Sequence, residues 1–445
     1  MNSFFHLSSP GLLAFTSRRR PAKTSVCLCL GVTVLATLSF ANGDRDGLVV
    51  HEWGTFTSVQ GGDGVLLPWH ASQIGELPKF VHDWMKPGLN RRSTSMLFTG
   101  KGGLTTLQRM ETPVIYFYSD TETTAEVTVR FPKGLITEWY PQAAEIGPSV
   151  SLTNDAITAT KENAANKESL IHWRDVRVLP SRLDVEMANR LPTDTNGTHY
   201  FSARETDAAF VRVNDLSPTN PADEHERFLF YRGSGSFSTP LVVTSSDDGT
   251  VSIDNTGAAP LAHLFLLQVR DGAVEWTHLE KLEPHARQTW QKLNSVPASE
   301  RRPVDQVRQE VGVAMADALA STGLFPTEAR AMVKTWDKAW FGEDGVRVLY
   351  ILPHGWTDEI LPLQLNPRPR ELVRLMVGRA EIIMPETQKE LAGQIALAKA
   401  GNAAAKQWLQ NYSKKFGRFA PPAFQLANNY LSRQPNKPIA TAAWN

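Results

Sequence analysis

Cysteine is nearly missing from this sequence. Both cysteines, Cys27 and Cys29, fall within the first 43 of 445 residues, so the rest of the chain has no disulfide and no thiolate nucleophile or metal ligand. Packing must hold together a body of roughly 400 residues, a length that can bury a large core. A basic excess is also missing, since 46 basic residues face 46 acidic ones. Without one there is little to displace the counterions of a polyanion, which argues against nucleic acid as a partner. His-x-His and His-Glu-x-x-His spacings do not occur, so no metal is expected. Gly100-Lys101-Gly102-Gly103 lacks the spacing of a phosphate loop, and Gly233-Ser234-Gly235-Ser236 lacks that of a nucleophile elbow. No cofactor is expected, and the two glycines flanking Ser234 read as shaping a turn.

Acidic residues are absent until Asp44. Arg18, Arg19, Arg20 and Lys23 precede an uncharged, apolar stretch over residues 24–43, the pattern of an export signal, with Ser39 and Ala41 small enough for cleavage after Ala41. A bilayer needs about 20 apolar residues to be crossed, so retention as a single transmembrane helix is the alternative. Residues 1–41 are therefore predicted to be a signal peptide or membrane anchor. The body is predicted to be extracytoplasmic, in the periplasm or cell envelope, touching the membrane only through this segment. Without the leader's four basic residues, 42 basic residues face 46 acidic ones and the body is mildly acidic.

Residues 48–292 read as strands. Runs at 114–118, 125–131, 228–231, 261–269 and 274–278 are rich in β-branched and aromatic residues. Asp248-Gly249 and Asp271-Gly272 supply hairpin turn chemistry. Short strands without regular helix alternation predict an antiparallel β-sandwich. A polar, proline-bearing stretch over 295–303 reads as a linker, and a mixed, helix-rich region over 298–445 follows. There, Val307, Val311, Ala314, Met315 and Ala318 share helical spacing, as do Ala405, Trp408, Leu409 and Tyr412. Strands are expected at 346–352 and 372–383. The fold class predicted is α+β.

The most distinctive segment is His51-Glu52-Trp53-Gly54-Thr55-Phe56-Thr57. As a strand it sends His51, Trp53, Thr55 and Thr57 to one face and Glu52 and Phe56 to the other. One of its ionisable groups could act as a general acid or base. The structural reading, a first strand whose polar groups bond to loops and whose aromatics fill core, has more in its favour. Glu138, flanked by Trp139 and Tyr140, is a carboxylate in a desolvating setting that also suits sugar stacking. With Glu52 or Glu111 it could form the carboxylate pair of a glycosidase. His354 follows a strand and could reach a cleft from its loop. Asp223-Glu224-His225-Glu226 is the densest cluster of possible ligands and reads as a solvated charged loop. Arg347, Arg374, Arg379 and Glu381 are expected to form buried ion pairs between neighbouring strands.

Residues 50–59, from Val50 through the His51 to Thr57 segment to Val59, resemble the signature of an uncharacterised family of exported bacterial proteins. Residues 111–118, 138–141 and 377–381 resemble the same family, so the likeness spans most of the body. It implies export and carries no catalytic assignment. Taken together, the sequence predicts a scaffold-like protein that binds a glycan or an envelope protein. The alternative is an exported hydrolase using two of Glu52, Glu111 and Glu138.

Overall fold

The computed structural model describes residues 47–70, 77–83, 105–147, 169–180, 184–195, 199–214, 223–290 and 302–433. These described residues all belong to one compact unit. Its largest sheet has nine strands in the order β16 (Ala273–Leu282), β15 (Leu261–Arg270), β18 (Gly345–Ile351), β20 (Glu371–Ile383), β1 (Val49–Gly61), β5 (Gln108–Tyr118), β12 (Leu229–Gly235), β7 (Gly134–Tyr140) and β3 (His82–Asp83). A second sheet runs β11 (Asp223–Glu226), β10 (Phe210–Asn214), β9 (Ser169–Leu179), β6 (Thr123–Phe131) and β19 (Leu363–Asn366), with β8 (Glu145–Ile146) also paired to β9. Two small sheets complete the set, β13 (Leu241–Ser245), β14 (Val251–Asn255) and β17 (Arg287–Trp290), and the pair β2 (Trp69–His70) and β4 (Thr105–Thr106). The fold is α+β with sandwich-like layers.

β1 is buried on both faces although it carries His51, Glu52, Thr55, Thr57, Ser58 and Gln60 beside its apolar residues. All 13 of its residues are buried, because the strand runs through the middle of the sheet with material packed above and below. Val50 and Phe56 face a core shared with the second sheet and with β13 and β14. Val49 and Trp53 face a second core built with the helices Val304–Ser321 and Pro326–Asp337. Beyond Val59, a third cluster belongs to the helices Pro385–Lys399, Ala403–Phe416 and Ala420–Ser432. The alternation expected of the His51 segment therefore holds in space.

Local sequence accounts for the irregularities around β1. It pairs in parallel with β20 and antiparallel with β5, where the register slips between Trp53 and Thr55. The extra residue is on β5 beside Pro113, which has no N–H to give the ladder, and Thr112 takes a φ of 44°. Gly54 faces this bulge, where a Cβ would lie 2.9 Å from the Pro113 Cα. The β15–β16 hairpin turns as its Asp-Gly pair predicts, with φ of 50° at Asp271 and 76° at Gly272. Gly233 and Gly235, expected in a turn, instead continue β12, since a Cβ on Gly233 would meet the Leu135 carbonyl oxygen at 2.2 Å.

Both regions distinguished in the sequence feed the same sheet, because β18 and β20 lie between β15 and β1. The expectation of membrane attachment through a transmembrane helix is corrected: among the described residues no helix is long and apolar enough to cross a membrane. The longest, Val304–Ser321, has 18 residues and carries Asp305, Arg308, Glu310 and Asp317. The segment expected to serve as leader or anchor, 1–41, lies outside the described residues.

Close packing at Gly378 on β20 gives a first prediction. A Cβ there would lie 2.2 Å from Cζ of the buried Tyr350 on β18. Gly378→Ala should cost about 1–3 kcal/mol through overpacking. Adding Tyr350→Leu should make the double variant less destabilised than the sum of the two single changes, as read from urea unfolding midpoints. Additive costs would show that the ring and the glycine do not compete for this space.

Candidate functional site

At one end of the large sheet, β15, β18 and β20 meet the helices Pro385–Lys399 and Ala403–Phe416, and the β13–β14 turn closes one side. A cleft of about 520 Å³ lies between them, within the range that binds small ligands. Spacing of four places Trp408, Tyr412 and Phe416 on one face of their helix. Their half-buried rings form a continuous stack, with centroids 5.5 Å and 4.2 Å apart and planes within 21° and 24°. Glu386 and Glu390 stand one turn apart on the neighbouring helix. Lys415 bonds Asp271 at 2.9 Å and lies 3.3 Å from Asp344, tying the aromatic helix to the β15–β16 turn.

The charge of the cleft is lopsided. Seven acidic side chains line it against two basic ones, Arg270 and Lys415. Burial pushes the Glu390 carboxyl above its ordinary value; Arg270 opposes this and Glu386 reinforces it. The cleft therefore joins flat apolar surface to hydrogen-bond acceptors in a negative field.

None of the residues singled out from the sequence as acid, base or nucleophile lines this cleft. His51 lies beneath the helix Pro326–Asp337, where its Nδ1 is 2.7 Å from Glu328 Oε2 and both side chains are fully buried. The same Glu328 oxygen accepts the Phe325 N–H at 2.8 Å, so one carboxylate caps a helix and holds the first strand. Glu52 points to the opposite face. It accepts the Tyr231 hydroxyl at 2.6 Å and the Arg374 guanidinium at 2.7 Å. Arg374 also bonds Asp358 at 2.6 Å, and Asp358 lies 3.0 Å from Nδ1 of the exposed His354. His354 and Glu52 are thus the two ends of one hydrogen-bonded chain from surface to core.

Glu111 and Glu138 share a second constellation, a seam of charge across the helix-bearing face of six strands. It begins with Arg347 on β18, bonded to Glu381 on β20 at 2.7 Å. Arg379 grips the same Glu381 at 2.5 Å and Glu343 at 2.7 Å. On β5, Glu111 accepts the Thr57 hydroxyl from β1 at 2.7 Å, bonds Arg418, and lies 3.3 Å from Arg109. Arg232 on β12 bonds Glu138 on β7 at 2.8 Å. Of the ion pairs expected between the C-terminal strands, Arg347–Glu381 joins β18 to β20, whereas Arg379–Glu381 lies within β20 and Arg374 pairs with Glu52 on β1 and with Asp358.

Electrostatics follow from this pairing. Burial alone would raise the Glu111 carboxyl, but Arg418 and Arg109 outweigh it and hold the group far below the usual carboxylate range. Glu138 is lowered too, burial being overcome by Arg232 and Thr137. The setting that desolvates Glu138 therefore does not raise its pKa, because the arginine dominates. Carboxylates so firmly ionised and occupied are poor general acids.

Sequence reasoning missed two features. Asp223–Glu226 is a strand and not a solvated loop, with Glu226 fully buried against Arg204 at 2.6 Å and Tyr200 at 3.0 Å. The cleft was missed because its walls come from six separated stretches of chain. Its one local signal is the spacing of Trp408, Tyr412 and Phe416.

The seam yields a pH prediction. Glu111 has a folded value below its ordinary 4.5, so its contribution is fully present above that value and is lost as pH falls below it. Glu111→Gln should cost about 3–5 kcal/mol at pH 7 by leaving buried arginines unmatched. Its penalty should shrink steadily from about pH 5 downward in urea unfolding compared across pH. A penalty independent of pH would show that the carboxylate's charge is not what stabilises the seam.

No family model matches the chain, and no curated protein does. Among solved structures, the mu-homology domain of yeast delta-COP-I in complex with a Dsl1 WxWxV peptide is similar over 76% of this chain and 98% of its own, at 8% identity and a TM-score of 0.27. The same domain without peptide gives 7% identity and a TM-score of 0.25 over the same shares. So distant a likeness carries neither activity nor partner across to this chain.

Proposed function

We propose that this protein is a non-catalytic glycan-binding protein and that the cleft is its binding site. The observation that carries this reading is the Trp408–Tyr412–Phe416 stack beside carboxylates in a cavity of about 520 Å³. Aromatic rings offer flat apolar surface to the C–H faces of a sugar, and carboxylates accept bonds from its hydroxyls. The excess of acidic lining favours a neutral or amino-bearing oligosaccharide over one carrying uronate, by like-charge repulsion. Glu52, Glu111 and Glu138 lie outside the cleft and are each held by an arginine, which supports binding over hydrolysis. The reading also places the body outside the cytoplasm. The acid-free, basic then apolar residues before Asp44 support this, and recovery of the protein in the cytosolic fraction of its host would overturn it.

Calorimetric titration with a panel of neutral, amino-bearing and uronate-bearing oligosaccharides tests the site. A neutral or amino-bearing member should bind, and Trp408→Ala should weaken it about tenfold. Absence of binding across the panel, or binding that Trp408→Ala leaves unchanged, would sink the proposal. Release of cleaved sugar on prolonged incubation would sink its non-catalytic clause.

A further inference from the structure

The charge seam is not balanced along its length. At its β5 end, three guanidinium groups, Arg109, Arg232 and Arg418, gather around two carboxylates, Glu111 and Glu138. Glu138 is taken by Arg232 at 2.8 Å and by Thr137. Glu111 is taken by Thr57 on one oxygen and by Arg418 on the other. What remains for Arg109 is a single contact, its Nε at 3.3 Å from the oxygen that Arg418 already occupies. Neither Nη of Arg109 has a hydrogen-bond or ion-pair partner among the described residues.

That arrangement is costly as it stands. The Arg109 side chain is only 9% exposed, yet no Arg109 nitrogen is among the fully buried polar atoms left without a partner, and a mostly buried cation that fills its donors only with water gives up part of its solvation. Burial, followed by the field of Arg232, lowers its pKa to about 10, with Glu111 and Glu138 opposing and Arg418 adding to the effect. The local field is therefore positive in spite of the two glutamates. A guanidinium edge with both Nη groups free is shaped for two parallel bonds to an oxyanion.

We propose that Arg109, flanked by Arg232 and Arg418, binds an oxyanion: a sulfate, phosphate or carboxylate group, free or carried on a larger ligand. The site is separate from the aromatic cleft, whose lining includes none of these three arginines. It prefers the charge that the cleft repels. The inference therefore stands or falls independently of glycan binding.

Thermal unfolding of the purified full-length protein tests it, with sulfate, phosphate and glucuronate each titrated against chloride at matched ionic strength. At least one should raise the wild-type Tm saturably by about 2 °C or more, and Arg109→Gln should abolish the saturable part. The non-saturating rise that sulfate gives to most proteins should persist in the variant. Arg109→Lys, which keeps the charge and loses the fork, should respond more weakly than wild type and guards against a failure of Arg109→Gln to fold. A response to glucuronate but not to the inorganic ions would identify a carboxylate-bearing ligand; the reverse would identify a free or esterified inorganic oxyanion. No saturable response in the wild type, or an equal one in Arg109→Gln or Arg109→Lys, overturns the proposal.

Discussion

Charge removed from water must be matched by charge, and this constraint organises the helix-bearing face of the large sheet. Arg347, Arg379, Arg109 and Arg232 project from four different strands into a layer that is otherwise hydrocarbon and aromatic. Each strand must hold its register for these groups to meet Glu381, Glu111 and Glu138. A slip of one residue would turn every one of them to the opposite face and strand charges in the apolar core beyond. The ion pairs therefore specify pairing more than they add stability, since a buried pair recovers little beyond its desolvation cost.

The same logic separates the ionisable groups by role. Glu52 and Glu111 are two strands' contributions to two faces of one sheet, and each is saturated by arginine and hydroxyl donors. Glu386 and Glu390 lie outside any such network and keep a carboxylate facing the cleft. Pairing is less complete at one end of the strands β15, β18 and β20, under the C-terminal helices, and at Arg109.

Much of the layout was legible from local pattern. The β15–β16 hairpin follows from Asp271-Gly272, the alternation of the His51 segment from period two, and the face of the helix Ala403–Phe416 from its recurring apolar residues. The ion pair of Arg347 with Glu381 follows from their place on adjacent strands, and that of Arg379 with Glu381 from their spacing of two on one face of β20. Less legible was anything that depends on tertiary neighbours. Glu226 reads as a solvent charge because its partners, Arg204 and Tyr200, stand 22 and 26 residues earlier in a separate segment. Glu138 reads as a raised acid because its aromatic neighbours are visible in sequence and Arg232 is not. The cleft has no motif of its own, since its walls join β-turns to helices more than a hundred residues apart.

The place of β1 sets an order of events for the chain as it folds. Val49 pairs with Tyr118 on one side and with Glu371 on the other, so the first strand finds its parallel neighbour only after nearly all of the chain exists. Until then one edge of β1 stays open, with a row of unpaired backbone groups that is prone to join other edges. Contacts of such span make folding slow. A protein built this way cannot complete its core from the N-terminus forward, and a chain that ends before β20 leaves a strand meant for full burial, with His51 and Glu52 on it, as an open edge.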